Sequence, residues 1–160
     1  MSKPIIMCVD DQRDVLAALK SDLESFAPTF ELLTCESGGE AEDELRAAET
    51  QGRLIALILC DQVMPDLTGV AFLSELSRSG RFGATRKVLL TGLATQEDTI
   101  SAINNGGIHY YLAKPWDKET LQQVVRQQLT HALIAAGLDY QLYLSFLDQE
   151  TLYAILRREG

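Results

Sequence analysis

Five short apolar runs, separated by segments with helical periodicity, constrain the fold of this chain more than any other feature. The runs are rich in leucine or β-branched residues and occupy residues 4–9, 30–35, 54–60, 86–91 and 108–113. Such runs are typical of strands buried on both faces of a parallel sheet, which helices must then cover. The pattern predicts an α/β fold, a (βα)₅ doubly wound parallel sheet that binds its ligands at the carboxyl ends of the strands.

The intervening segments carry apolar residues at spacings of three and four, as amphipathic helices do. The first segment is the clearest, with Val15, Leu16, Leu19, Leu23 and Phe26 in this pattern. Turn and capping residues predict where the other four helices begin: after residues 37–39, after residues 68–69, at Thr95 and near Asp117. The five strand-helix units end near residue 136.

Residues 1–136 are therefore expected to form one domain, and residues 137–160 a helical extension. The extension carries more apolar residues than a solvated linker would: Leu142, Phe146, Leu152, Ile155 and Leu156. We expect these side chains to be buried against the domain or in a homodimer. The extension is too short to be a DNA-binding or catalytic effector, so an effector would be a separate protein or a fused domain of a longer one.

The charge of the chain argues against several classes of partner. The formal net charge is −9 and the pI is about 4.6, so the protein repels nucleic-acid backbones and anionic membrane surfaces. No apolar stretch approaches the roughly 20 residues that a membrane span needs. We expect a cytoplasmic protein whose three cysteines, each inside an apolar run, are reduced core residues.

Polar side chains follow four of the five predicted strands. Asp10 and Asp11 follow the first strand, Asp61 the third, Thr91 the fourth and Lys114 the fifth. Because the carboxyl ends of parallel strands meet at one edge of the sheet, these residues are expected to form one site. Three crowded carboxylates repel one another unless a divalent cation shares their charge, and an all-oxygen ligand set suits Mg²⁺.

The same arrangement suits phosphoryl transfer to a carboxylate. A carboxylate beside a hard cation is a candidate nucleophile toward phosphorus, and Asp61 would then form an acyl phosphate. Lys114 would supply a fixed positive charge and Thr91 a hydroxyl to hold the transferred group. Taken alone, an aspartate pair behind a strand is often a helix cap and a lysine is often a surface charge. The joint occurrence of all these residues favours the site.

Four segments in this order resemble the response regulator receiver family of two-component signalling over residues 4–136. They are Val9-Asp10-Asp11, the segment from Asp61 to Gly69, Leu90-Thr91-Gly92, and Tyr111-Leu112-Ala113-Lys114-Pro115. The resemblance implies the flavodoxin-like receiver fold and a phosphorylation-dependent switch that receives its phosphoryl group from a sensor histidine kinase. Such a domain catalyses only its own phosphorylation and dephosphorylation.

The resemblance also implies roles for individual residues. Asp61 would be the phosphoacceptor and, with Asp11 and the carbonyl of Val63, a direct Mg²⁺ ligand, while Asp10 would act through water. Lys114 would bind the phosphoryl group, and the peptide bond to the following proline would be cis.

Two further residues complete the switch that the resemblance implies. Thr91 would be the switch hydroxyl, and Tyr111 the aromatic residue whose rotamer follows it. The surface around the fourth predicted helix, the fifth strand and the fifth helix would then change between the inactive and active states.

Two other classes fit the residues less well. A haloacid-dehalogenase-like phosphatase also forms an aspartyl phosphate, but it needs a second aspartate two residues after the nucleophile, where this chain has Val63. A nucleotide-binding module of similar fold needs a glycine-rich turn after the first strand, where this chain has the polar residues 10–13. The Lys114-Pro115-Trp116 turn also resembles receivers attached to large signalling enzymes, so the chain could be a receiver excised from one.

Aromatic and apolar residues near the site lead to three more expectations. Because strand side chains alternate, one of Tyr110 and Tyr111 should face the core and the other the surface. Trp116 either staples the start of the fifth helix or contacts a partner, and the second role is slightly favoured. The family resemblance also implies that Val63 and Leu93 border the path of the hydrolysing water, and since neither can orient a water molecule, the phosphoryl group should be lost slowly.

Overall fold

The computed structural model describes residues 2–92 and 107–159. Its sheet contains five parallel strands in the order β2-β1-β3-β4-β5. The strands are β1 (Ile5–Val9), β2 (Glu31–Cys35), β3 (Ile55–Asp61), β4 (Arg86–Thr91) and β5 (Tyr110–Ala113). The predicted doubly wound sheet is thus confirmed. Its strand order reverses at β1 and β3, which is where such folds place their ligands.

The helices are α1 (Arg13–Asp22), α2 (Gly38–Gln51), α3 (Gly69–Ser79), α4 (Lys118–Ala135) and α5 (Gln149–Glu159). Three begin within or next to the turn segments that predicted their starts. The side chains of Ser37, Thr68 and Asp117 cap them, each accepting a hydrogen bond of 3.1 Å from a backbone N–H of the first turn. The predicted helix at Thr95 lies outside the described residues. Among the helices that are described, none has the length and apolar character needed to cross a membrane.

Alternate residues of the central strands supply two core layers, one on each face of the sheet. In β1, Ile6 and Cys8 face the layer under α1 and α4, and Met7 and Val9 face the layer under α2 and α3. All three cysteines are buried as predicted. Burial, with a small contribution from Cys35, raises the pKa of Cys8 to about 12. The thiol is therefore protonated at neutral pH and packs as a small apolar group.

The C-terminal extension packs against the domain through one face of a 3₁₀ helix at Tyr140–Phe146. The ring of Phe146 lies 5.7 Å from those of Phe26 and Phe30, and the ring of Tyr143 lies 5.8 Å from that of Phe30. Three residues per turn place positions 140, 143 and 146 on the same face. The intervening Leu142 therefore points away and is 65% exposed, so it is not buried against the domain.

Farther along the extension, Leu147 and Leu152 are buried. Of the two predicted ways of burying the extension, packing against the domain is thus confirmed for Phe146 and Leu152. Phe146 packs on the core of the domain, and Leu152 is buried. Ile155 and Leu156 are half-buried. Polar contacts add to this packing, since Arg126 of α4 donates a 2.7 Å hydrogen bond to the carbonyl of Ser145. The extension consequently forms part of the folded unit.

Candidate functional site

The site begins with two carboxylates that the sheet places side by side. Strands β1 and β3 are neighbours with Val9 opposite Cys60, so the next residues lie side by side: Asp10 directly after β1 and Asp61 as the last residue of β3. Asp10 is fully buried and Asp61 is 7% exposed, whereas Asp11 is exposed. Carboxylate oxygens of the three aspartates lie within 4.8 Å of one another. The acidic cluster predicted from the sequence is therefore assembled.

Lys114 reaches this cluster from the end of β5. Its ammonium donates hydrogen bonds of 2.7 Å to Oδ1 of Asp61 and 2.9 Å to Oδ2 of Asp10. Its backbone N–H donates to the carbonyl of Thr91 at 2.9 Å, which fixes the point where the side chain leaves the strand. The peptide bond between Lys114 and Pro115 is cis, as expected.

Thr91 lies between these two parts of the site. It ends β4, the strand between β3 and β5, and it is buried. Its hydroxyl donates to the carbonyl of Gly92 at 3.1 Å. The five strand-end residues predicted from the sequence thus lie at the carboxyl edge of one sheet, as the topology requires.

Negative charge exceeds positive charge in this cluster, with three carboxylates around one ammonium. Burial raises the pKa of Asp61, and the charges of Asp10 and Asp11 add to it, against the lowering effect of Lys114. Burial alone would lower the pKa of Lys114, but its bonds with Asp61 and Asp10 outweigh burial and raise it. Both groups therefore hold their protons more tightly than in water, Asp61 chiefly because it is buried and Lys114 because it bonds to two carboxylates.

The donor set fits a hard divalent cation. The three carboxylates converge, all their donor atoms are oxygens, and Asp11 remains open to solvent. Oxygen ligands with room for water are what Mg²⁺ prefers. A bound cation would also offset the negative charges of Asp10 and Asp11, which add to the effect of burial in raising the pKa of Asp61.

The segment after Asp61 is held by a residue that sequence reasoning missed. Gln62 is buried, and its backbone N–H donates to the carbonyl of Leu90 at 3.0 Å. Its side-chain Oε1 accepts from the N–H of Val70 at 2.9 Å, and its carbonyl accepts from the N–H of Gly69 at 3.0 Å. Gln62 thus joins the end of β3 to the start of α3. The only signal in the sequence is a polar residue at the end of an apolar run.

Gly69 allows this close junction. A Cβ atom at Gly69 would lie 2.2 Å from the carbonyl oxygen of Asp61 and 2.8 Å from Cδ1 of Leu89. Any side chain would displace the backbone of Asp61. The sequence indicated only that a helix begins near this glycine.

The aromatic residues around the site differ from expectation. Tyr110 and Tyr111 are both exposed, by 39% and 43%, and their rings stack with centroids 6.3 Å apart. The prediction that one faces the core is wrong, since neither ring is buried on β5, the edge strand of the sheet. Trp116 is half-buried, and its Nε1–H donates to Asp22 of α1 at 2.9 Å, which favours the packing role over partner contact.

The chain matches the family described as "Response regulator receiver domain" over residues 6–126. It is 33% identical to the hydrogenase transcriptional regulatory protein HoxA of Cupriavidus necator over 155 residues, which are 97% of this chain and 29% of that protein. It is 32% identical to response regulator Rre1 of Synechocystis over 130 residues, 81% of this chain and 53% of Rre1. The chain therefore spans about a third to a half of these relatives.

Solved structures support the same assignment. The signal receiver domain of an HD domain-containing protein from Pseudomonas fluorescens aligns with a TM-score of 0.74 and 27% identity, covering 86% of this chain and 94% of that one. A CheY-like receiver domain protein from Methanospirillum hungatei shows the shared fold. It aligns with a TM-score of 0.68 and 24% identity, and the alignment covers 84% of this chain and 99% of that protein chain. On its fold, its assembled strand-end residues and these matches, the chain belongs to the response regulator receiver domain family.

Proposed function

We propose that this chain is a phosphorylation switch in which Asp61 accepts the phosphoryl group. The observation that carries the proposal is the position of the Lys114 ammonium, which bonds both Asp61 and Asp10 within a converging carboxylate cluster. This arrangement provides a nucleophilic oxygen and a fixed positive charge for the incoming phosphoryl oxygens. The haloacid-dehalogenase-like alternative has no comparable support, since Val63 occupies the place of its second aspartate.

In the transfer step, a carboxylate oxygen of Asp61 forms a bond to phosphorus while the bond from phosphorus to the donor breaks. Lys114 already contacts one oxygen of Asp61, so the other oxygen is the one left to attack. As the phosphoryl group arrives, the ammonium can exchange its bond to the carboxylate for one to a phosphoryl oxygen. The reverse displacement by water returns Asp61 to its free form and releases phosphate.

Mg²⁺ is the proposed cofactor, held by Asp61, Asp11 and the carbonyl of Val63, with Asp10 acting through water. When bound, the ion neutralises negative charge on the transferring group. Asp10 would remain the buried partner of Lys114 and keep the ammonium in place throughout the cycle.

The phosphoryl group would then act through Thr91 and Tyr111. The Thr91 hydroxyl would turn toward the phosphoryl group, and the exposed ring of Tyr111 would change its position on the edge strand. The surface that changes is formed by β5, α4 and the predicted helix at Thr95, and it would bind a partner differently in the two states.

A sensor histidine kinase is the proposed phosphodonor, and a cytoplasmic location follows from that partner. Two relatives, HoxA and Rre1, are described as a transcriptional regulatory protein and a response regulator, and both are longer than the segment that matches this chain. The output is therefore proposed to be a fused or separate effector. A homodimer remains a proposal, with the exposed Leu142 as one candidate contact.

The test is to incubate the protein with Mg²⁺ and acetyl phosphate and to measure its intact mass. Wild type should gain one phosphoryl group, and Asp61→Asn should gain none. Asp43→Asn is the matched control, because Asp43 is an exposed aspartate of α2, and it should label like wild type. Equal labelling of Asp61→Asn and wild type would disprove the assignment of the acceptor.

A further inference from the structure

The loop that follows the phosphoacceptor, residues 62–68, is fastened at its start to β4 and to α3, and at its end to α3. At its start Gln62 bonds to Leu90 and to Val70, and at its end Thr68 caps α3. Between these points lies Val63, whose side chain is 67% exposed and makes little packing contact that could hold its backbone. The position of the Val63 carbonyl must therefore be set by residues on either side of it.

Asp66 fastens the middle of this loop to a different helix. Its Oδ2 accepts a hydrogen bond of 3.0 Å from the backbone N–H of Gly39, and its Oδ1 accepts one of 3.3 Å from that of Gly38. These two N–H groups belong to the first turn of α2, where an intrahelical partner is lacking and a negative charge is favoured. The contact joins segments 27 and 28 residues apart in the chain.

The start of α2 is shaped to receive the loop. A Cβ atom at Gly38 would lie 2.6 Å from Cδ2 of Leu67 and 3.4 Å from Oδ2 of Asp66, so a larger residue would push the loop away. The helix also has its own cap, since Ser37 accepts from the N–H of Glu40 at 3.1 Å. Asp66 thus adds a second connection to a helix end that is already capped.

We propose that Asp66 is a positioning residue for the metal site, holding the Val63 carbonyl in place by tying its loop to the first turn of α2. This inference rests on the proposed function, in which that carbonyl binds Mg²⁺. Magnesium tolerates little departure from octahedral geometry, so a loosened carbonyl lowers affinity. Removing groups that orient a metal ligand typically weakens binding by about 10- to 100-fold.

Three variants separate positioning from other roles of Asp66. Asp66→Asn keeps the size of the side chain but weakens both bonds. Gly39→Pro removes one donor of the pair without changing any charge, at a helix position where proline is tolerated. Ser37→Ala is the matched control, because it removes the cap of the same helix and leaves the contact of the loop with α2 intact.

The experiment measures Mg²⁺ affinity by isothermal titration calorimetry, together with the thermal midpoint of each variant and amide exchange of residues 63–67. Asp66→Asn and Gly39→Pro should each weaken Mg²⁺ binding by about tenfold and speed exchange in the loop. Ser37→Ala should lower the thermal midpoint to a similar degree and leave Mg²⁺ affinity within about twofold of wild type.

Each other outcome counts against the proposal. Equal loss of affinity in Ser37→Ala would show that helix stability is what matters, and loss in Asp66→Asn alone would show a long-range charge effect. Unchanged affinity in both test variants, with Asp61 still phosphorylated in wild type, would refute the role of Asp66 and leave the proposed function standing. If wild type neither binds Mg²⁺ nor accepts a phosphoryl group, the proposed function fails and this inference fails with it.

Discussion

The two ends of the sheet carry opposite surpluses of charge. At the carboxyl end, three carboxylates surround Lys114, and the pKa values of Asp61 and Lys114 are both raised. At the amino end of β4, Arg86, Lys87 and His109 lie together, and within residues 2–92 and 107–159 no acidic side chain forms an ion pair with any of them. Burial and the neighbouring cations together lower the pKa of Lys87 and bring that of His109 to about 4.

The two ends relieve their surplus charge by different means. At the amino end, the cations donate hydrogen bonds to uncharged acceptors. The ammonium of Lys87 donates to the carbonyl of Thr85, and the guanidinium of Arg86 donates to the side chain of Gln128. The imidazole of His109 accepts from the N–H of Lys87 at 3.0 Å and so stays neutral. The carboxyl end instead holds ionised groups close together. The comparison indicates that the amino end satisfies its cations with neutral acceptors, while the carboxyl end places opposite charges together and keeps a surplus of negative charge for a ligand.

The largest effect should follow from removing Lys114, the cation that bonds to the carboxylate cluster. Lys114→Met would leave Asp10 and Asp61 buried without their partner, and the free energy of unfolding should fall by about 3 kcal/mol. Urea denaturation in metal-free buffer measures this change. Lys20→Met on α1, at an exposed position, is the control and should be nearly neutral. A loss no larger than that of the control would mean that the carboxylates are already relieved by solvent.

Removing one carboxylate from the same cluster should have the opposite sign. Asp61→Asn lowers the surplus negative charge, so it should raise the free energy of unfolding in metal-free buffer by an amount on the order of 1 kcal/mol. The same denaturation experiment measures it, with Asp43→Asn as a control at an exposed site. A clear loss of stability would show that the bond from Lys114 to Asp61 outweighs the repulsion.

The amino end predicts an acid-sensitive contribution from His109. Its pKa of about 4 in the folded protein lies below the ordinary value of 6.5, so the unfolded chain binds the proton more readily. The stability contribution of His109 is therefore complete above pH 6.5 and falls as the pH drops from there toward 4. Protonation of Nδ1 would also remove the acceptor for the N–H of Lys87.

The variant His109→Asn tests this, because asparagine can keep an acceptor near Nδ1 and does not titrate in this range. Its thermal midpoint should fall less than that of wild type between pH 7 and pH 5. Parallel curves for the two proteins would assign the acid sensitivity to other groups.

The smallest effect concerns the lifetime of the phosphoryl group. Val63 is exposed beside the site and cannot orient water, and Leu93, the second residue of this prediction, lies outside the described residues. Val63→Asn combined with Leu93→Glu should speed Mg²⁺-dependent loss of phosphate by about threefold or more. The rate is followed by intact mass after removal of the phosphodonor. An unchanged rate, with phosphorylation intact, would show that these side chains do not control the access of water.

The amino-acid sequence by itself determined the sheet, most helix starts and the members of the site. Strands and helices follow from hydrophobic periodicity, and Ser37, Thr68 and Asp117 act as caps, because these are local properties of the chain. The strand-end positions of Asp61 and Lys114 then place them together, since parallel strands share one carboxyl edge. Recognition of the family motifs added the roles proposed for these residues.

Only the tertiary structure decided how exposed surfaces and long-range contacts are arranged. The outward position of Leu142 depends on a 3₁₀ turn. The exposure of Tyr110 and Tyr111 depends on the position of their strand at the edge of the sheet. The bond from Asp66 to Gly39 joins residues 27 positions apart, which no local pattern records. These features depend on the packing of whole elements against one another, and a change of one residue in the spacing or register of an element reverses which side chain is covered.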